Sequence, residues 1–144
     1  MYAQLYGMQT VTFRYFNVYG ERQPLRGQYA PVIGIFLRQR SAGEPMTIVG
    51  DGEQRRDFTY VGDVVNANIL AAQIPSLSWG EVFNIGTGRN YSINEIASFM
   101  GGETVNIPPR SAEARMSLAD PSKANTYLGW TPQVRLENWI AEHK

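Results

Sequence analysis

Apolar residues along the chain fall into two patterns, one typical of buried strands and the other of helices. Short β-branched or aromatic runs predict strands over residues 9–16, 46–49, 56–60, 82–85 and 103–107. Helical spacing and helix-boundary residues predict helices over 2–6, 32–39, 63–72, 92–100, 121–128 and 136–144. Because strands and helices alternate, the sequence predicts an α/β fold.

Three local motifs predict how some of these elements begin and end. Ser92 and Glu95 have the Ser-x-x-Glu spacing of a capping box, and Asp63 is predicted to cap the helix that follows it. The run 86–88 (Gly-Thr-Gly) follows a strand but lacks the Lys-Ser/Thr of a phosphate-binding loop, so it predicts a tight turn. The strands over 46–49 and 56–60 could form a hairpin or follow separate paths.

Length and composition narrow the class of protein. The 144 residues suggest one domain, and 43% hydrophobic with 18% charged residues is ordinary for a globular protein. Lys and Arg (13) balance Asp and Glu (13), which argues against a nucleic-acid partner. No apolar run approaches the roughly 18 residues of a membrane span, and the first residues do not resemble a secretory signal.

Cysteine and histidine usage excludes several chemistries. The chain has no cysteine and one histidine, His143, close to the end of the sequence. Structural zinc, thiol catalysis and disulfides are therefore excluded, and a Ser-His-Asp triad is disfavoured. The absence of cysteine fits a cytoplasmic location.

Four segments carry a family resemblance. They are RYFNVYG (14–20), GDGEQRRDF (50–58), FNIGTG (83–88), and PRSAE (109–113) leading to ADPSKA (119–124). In this order and spacing they resemble the C-terminal part of the extended short-chain dehydrogenase/reductase family. The resemblance is closest to its NAD-dependent nucleotide-sugar 4-epimerases, such as UDP-glucose and UDP-N-acetylglucosamine 4-epimerases, and it covers nearly the whole chain.

The resemblance implies an incomplete enzyme. Residues 1–144 would be the substrate-binding C-terminal portion, with 1–20 the end of the Rossmann portion and the N-terminal cofactor-binding region absent. The family binds NAD through a Gly-x-x-Gly-x-x-Gly turn and moves a proton through a Tyr-x-x-x-Lys pair, and neither motif occurs here. We therefore expect no catalytic residue in this chain and no epimerisation by the isolated chain.

Two arginines and an asparagine are the main candidates for substrate binding. A planar guanidinium offers paired donors that fit phosphate oxygens, and the resemblance implies that Arg56 and Arg110 clamp the diphosphate of a UDP-sugar. Asn17 follows a predicted strand, at the end where α/β sheets bind ligands, and the family uses this asparagine for substrate. Taken singly, the arginines could be surface residues and the asparagine could simply start a turn.

The resemblance assigns five further contacts. It implies that Ala30 and Val32, within the segment 28–33, lie near the nucleotide base and phosphates. Glu113 would bond a ribose hydroxyl, although residues 110–113 (Arg-Ser-Ala-Glu) depart from the commoner Arg-Pro-Gly-Asp form. The backbone around Tyr15 and Phe16 would lie beside the nicotinamide of NAD.

The whole protein is thus expected to oxidise the C4 hydroxyl of a nucleotide sugar with NAD, let the 4-keto sugar rotate, and return the hydride to the other face. A nucleotide-sugar 4,6-dehydratase of the same family, or a non-catalytic sugar-nucleotide-binding or interaction domain, remains open. The truncated sheet is also expected to favour a homo-oligomer, because an uncovered strand edge is prone to associate.

Overall fold

A computed structural model describes residues 1–27, 30–74 and 80–144. Helices and strands alternate as the sequence predicts. The helices are α1 (Tyr2–Tyr6), α2 (Val32–Ser41), α3 (Val61–Gln73), α4 (Ile93–Met100), α5 (Ser122–Leu128) and α6 (Leu136–His143). The strands are β1 (Val11–Tyr15), β2 (Val18–Tyr19), β3 (Met46–Val49), β4 (Arg55–Asp57), β5 (Thr59–Tyr60), β6 (Glu81–Ile85), β7 (Asn90–Ser92) and β8 (Thr104–Ile107).

The strands pair two by two, and most pairs are parallel. β1 pairs with β6, β2 with β5 and β3 with β8, all parallel, whereas β4 and β7 are antiparallel. The segments 46–49 and 56–60 therefore follow separate paths rather than forming a hairpin. Two short strands, β2 and β7, were not predicted, because runs of two or three residues carry too little periodicity to be recognised.

Two apolar clusters hold these elements together. One joins α2, α4 and α6 to β3, with Phe36, Ile48, Ile96 and Trp139 among its buried members. The other joins α3 and α5 to β6 and is built around residues such as Phe83 and Trp130. Each cluster packs helices over parallel strands, the arrangement expected when strands and helices alternate.

The predicted helix caps have different outcomes. Ser92 caps α4 as expected: its side chain accepts from the Glu95 N–H, and Glu95 accepts in return from the Ser92 N–H. The prediction for Asp63 is wrong, because α3 already begins at Val61. Asp63 is buried, and its carboxylate accepts from the N–H groups of Gln133 and Val134 at 3.0 and 3.1 Å. The carboxylate thus joins α3 to the segment before α6.

One face of the molecule, formed by β1 and α3, exposes apolar side chains beside polar ones such as Asn68. A cavity of about 470 Å³ lies there, and the side chains that line it include Val11, Phe13 and Tyr15 of β1. On α3, Val65 and Ile69 are about half exposed. We call this surface the β1–α3 face. In the described part of the chain, no helix is long and apolar enough to cross a membrane.

Candidate functional site

The largest cavity described lies where two parallel strands end. Its volume is about 800 Å³, and its wall includes the ends of β3 and β8, at Val49 and Ile107. The turn that starts at Gly50 and the segment from Pro108 to Arg110 continue this wall. Ligands of α/β proteins commonly bind at the carboxyl ends of the strands, and the cavity is large enough for a nucleotide-sized molecule.

Two of the predicted binding residues line this cavity, and a third contacts one of them. Arg110 and Glu113 both line it. Arg56 lies on β4, and its guanidinium contacts the Glu113 carboxylate at 3.3 Å. The Arg56 side chain is only 16% exposed, and it also donates to the Arg55 carbonyl oxygen at 2.9 Å. Glu113 therefore joins Arg56, from the middle of the chain, to the cavity that Arg110 lines.

A second arginine that lines the cavity is already engaged. Arg115 makes two hydrogen bonds to the Asp51 carboxylate, at 2.8 and 2.9 Å. These bonds lower the pKa of Asp51 to about 2, so the carboxyl stays charged at neutral pH. Because both groups are largely exposed, this ion pair adds little to stability. The charge of Arg115 is therefore already paired with a carboxylate of the chain.

Asn17 is turned towards the protein rather than towards the cavity. Its amide nitrogen donates to the Asp57 carbonyl oxygen at 2.7 Å and lies 3.4 Å from the Ser117 hydroxyl. Its φ of 30° belongs to the left-handed region, which asparagine tolerates better than most residues. The amide that was expected to donate to substrate is therefore used internally here, and a contact with substrate stays a prediction.

Asp57, next to Arg56, is a residue that the sequence reasoning overlooked. It is fully buried, and its carboxylate accepts four hydrogen bonds. Three come from the predicted turn: the Thr87 N–H at 2.8 Å, the Thr87 hydroxyl at 2.7 Å and the Gly88 N–H at 3.0 Å. The fourth comes from the Ala119 N–H at 3.1 Å. The Gly-Thr-Gly turn thus binds a carboxylate of the chain itself, which fixes the end of β4.

The remaining predicted contacts lie away from the cavity. Neither Ala30 nor Val32 is among the described residues that line it; Val32 begins α2, and residues 28 and 29 lie outside the described residues. The Tyr15 hydroxyl exchanges hydrogen bonds with Asn68 on the β1–α3 face. Phe16 packs near Gly86, where an added Cβ would lie 3.1 Å from the ring.

Several residues lining the cavity were not predicted as site residues. Val49, Gln54 and Asn106 belong to segments that are adjacent only because β3 pairs with β8. The Gly-Asp-Gly sequence at 50–52 indicated that a turn follows the strand that ends at Val49. Nothing local to Asn106 indicates its partner strand.

The parallel strands and the helices packed on them define an α/β protein, and its largest described cavity lies at the strand ends. The model of the NAD dependent epimerase/dehydratase family matches residues 1–86. The chain belongs to this family.

Relatives with known names agree with the assignment. A putative UDP-glucose 4-epimerase of Methanocaldococcus jannaschii is 41% identical over 97% of this chain. The structure of UDP-glucose 4-epimerase of Thermotoga maritima with UDP-glucose is 42% identical over 99% of the chain, with a TM-score of 0.88. UDP-N-acetylglucosamine 4-epimerase of Methanobrevibacter ruminantium, in complex with UDP-N-acetylmuramic acid, is 32% identical over 99%, with a TM-score of 0.90.

The chain spans about half the length of these relatives. The match covers 46% of the Methanocaldococcus protein and 47% of each of the two structures. This chain therefore contains about half of the α/β fold of these epimerases.

Proposed function

We propose that this chain binds the nucleotide diphosphate of a UDP-sugar and forms the substrate-binding portion of an NAD-dependent 4-epimerase. The observation that carries the proposal is that Arg110 and Glu113 line one cavity and that the Arg56 guanidinium contacts Glu113. Relatives named as UDP-sugar 4-epimerases, one of them in complex with UDP-glucose, support the choice of ligand.

In this proposal the two arginines hold the diphosphate. Guanidinium groups donate paired hydrogen bonds to phosphate oxygens, and such bonds are stronger than those between neutral groups. Glu113 keeps the Arg56 guanidinium oriented until the ligand arrives, and then accepts from a ribose hydroxyl. Asn17 approaches the sugar from the end of β1, and Ala30 and Val32 approach the nucleotide from the start of α2.

The cofactor is assigned only a small contact with this chain. NAD would take up hydride from the sugar C4 and return it. Tyr15 and Phe16, at the carboxyl end of the β1–β6 pair, are the residues here that fit beside a nicotinamide. We assign the remaining NAD contacts to a region that would correspond to the part of the relatives outside the match with this chain. Residues 1–20 would join that region, and we expect the whole protein in the cytoplasm.

Calorimetry with UDP tests the binding proposal. We expect wild-type protein to bind UDP and Arg110→Ala to bind it about 10- to 100-fold more weakly, because one charged hydrogen-bonding group is lost. Arg135→Ala is the matched control: Arg135 lines a different cavity, of about 260 Å³, and pairs with Glu137. Absence of UDP binding, or equal losses in both variants, would contradict the proposal.

An activity assay tests the role of the chain within a larger enzyme. The 144-residue chain, supplied with NAD and UDP-glucose, should form no UDP-galactose above a buffer control. If binding is present and turnover is absent, the chain is a binding portion only. Turnover well above the control would show that the chain supplies the catalytic groups that we assign elsewhere.

A further inference from the structure

A second cavity lies between β7 and the segment that leads into α6. Its volume is about 260 Å³. Thr87, Arg89 and Tyr91 form one side of it, and the segment 132–136 contributes the other. We call this cavity the Arg89 pocket. No described residue lines both the Arg89 pocket and the cavity at the ends of β3 and β8.

The two cavities lie beside different neighbours of β4. On one side β4 pairs with β7, whose Tyr91 lines the Arg89 pocket. On the other side the Arg55 N–H donates to the Arg115 carbonyl oxygen at 2.9 Å, and the Arg55 carbonyl oxygen accepts from the Ser117 N–H at 3.0 Å. Arg115 lines the cavity at the ends of β3 and β8. The Arg89 pocket is therefore separate from the proposed UDP site.

The Arg89 pocket combines buried apolar side chains with exposed charged ones. Phe58 and Leu136 line it and are only 3% and 2% exposed. Arg89 and Arg135 also line it, and both are exposed. A concave site that joins apolar walls to a few polar groups is typical of small-molecule binding.

The charges at the pocket do not cancel. Arg135 Nε donates to one Glu137 oxygen at 2.6 Å, and the Tyr91 hydroxyl donates to the other at 2.8 Å. Both oxygens of that carboxylate therefore have partners. Within the described residues no ion pair includes Arg89. The buried Asp57 carboxylate, which Thr87 contacts, is already satisfied by four hydrogen bonds.

Both guanidinium groups lie close enough to influence the same phenol. Burial and the hydrogen bond to Glu137 raise the pKa of Tyr91, and the charges of Arg135 and Arg89 act in the opposite direction. The backbone of Arg89 is held in place, because its N–H donates to the Thr87 hydroxyl at 3.2 Å. The two arginines thus come from distant segments and approach one pocket.

We propose that the Arg89 pocket binds a small organic anion, with its apolar body against Phe58 and Leu136 and its carboxylate or phosphate on Arg89 and Arg135. A guanidinium donates paired hydrogen bonds to either kind of anionic group. Pockets for drug-sized ligands begin at roughly 300 Å³, so the occupant of this smaller pocket is smaller than a nucleotide. The inference does not depend on the proposed function.

Titration of the ¹⁵N-labelled chain with benzoate, phenyl phosphate and benzamide tests the inference. Benzoate and benzamide have nearly the same shape, but only benzoate is charged. We expect benzoate or phenyl phosphate to shift the amide signals of residues 87–91 and 133–136 saturably, in the millimolar range that suits so small a ligand. Benzamide should bind about 10-fold more weakly or less. Equal binding of benzamide and the charged probes, or no binding of any probe, would overturn the inference.

A pair of arginine variants locates the site. Arg89→Gln removes a charge at an exposed position and should weaken binding of the charged probe by about 10-fold. Arg14→Gln is the matched control, since Arg14 is an exposed arginine on β1 that lies outside the Arg89 pocket. Equal affinities in the two variants would contradict the assignment. If Arg89→Gln does not fold, the comparison of benzoate with benzamide on wild-type protein still decides.

Competition with UDP separates this site from the proposed substrate site. Saturating UDP should leave the affinity for benzoate or phenyl phosphate unchanged, because no described residue lines both cavities. Displacement of the probe by UDP would show that the probe occupies the nucleotide site, and the inference would be wrong. Failure of UDP itself to bind would overturn the proposed function and leave the Arg89 pocket to be judged by the probes.

Discussion

Replacing Asp57 with alanine should destabilise the chain strongly, although Asp57 belongs to no apolar cluster. The carboxylate is fully buried and accepts four hydrogen bonds, at 2.7 to 3.1 Å, from Thr87, Gly88 and Ala119. Removing it leaves those four donors without their partner, in a region that also includes the backbone contact of Asn17. A buried donor that loses its partner costs more than the hydrogen bond contributed.

The size of the loss in stability depends on the number of hydrogen bonds to Asp57 and on the fact that they share two carboxylate oxygens. Hydrogen bonds to a charged group contribute about 1.5–3 kcal/mol each. The four bonds here share two oxygens, and water can replace some of them in the alanine variant. Their contributions are therefore not additive. We expect Asp57→Ala to lower the free energy of unfolding by about 3–5 kcal/mol, a large fraction of the stability of a typical domain.

Urea denaturation measures this loss directly. Asp57→Ala should shift the midpoint to lower urea with an unchanged slope, and Asp57→Asn should recover only a small part, because its NH₂ group would face N–H donors. Asp51→Ala is the matched control, since Asp51 is an exposed aspartate paired with Arg115, and its midpoint should scarcely move. If Asp57→Ala unfolds at the same urea concentration as wild type, the carboxylate does not hold the site together.

Three further predictions concern the loop after Arg110, the cap of α4 and the β1–α3 face. Ala112 has a φ of 60°, so Ala112→Gly should raise the free energy of unfolding by about 1 kcal/mol. The control Ala97→Gly, inside α4, should lower it by about as much; a lower free energy of unfolding in both variants would show that Ala112 is not strained. The hydrogen bond from the backbone N–H at the α4 N-cap lowers the pKa of Glu95 below its usual value of 4.5. That stability is present above pH 4.5 and lost as pH falls through the lowered pKa, so Glu95→Gln should flatten the acid limb of a stability-versus-pH curve, and an unchanged limb would contradict it. Ultracentrifugation should detect reversible self-association that Ile69→Lys weakens and Val105→Lys, at another exposed apolar position, does not; a monomer at all concentrations would exclude it.

The sequence predicted those features that depend on neighbours along the chain. The Ser92–Glu95 capping box needs residues three apart, and α4 begins where that spacing indicates. The turn at 86–88 follows from two glycines after a strand. Both are local, so the chain order is sufficient to find them.

Contacts between distant segments could not be predicted in this way. Asp63 has the residue type of a helix cap, but its carboxylate binds backbone 70 and 71 positions further along. Asp57 has no local feature that distinguishes it from an exposed polar residue. Its partners, Thr87, Gly88 and Ala119, lie 30 to 62 positions further along the chain. For Arg56, Arg110 and Glu113 it was the family resemblance, rather than any spacing, that predicted a common site.

A crystal structure of the chain with UDP tests the central claim most directly. We expect the diphosphate to lie in the cavity at the ends of β3 and β8, with its oxygens within hydrogen-bonding distance of the guanidinium groups of both Arg56 and Arg110. UDP bound elsewhere, or bound in the cavity with neither arginine contacting a phosphate, would contradict the claim.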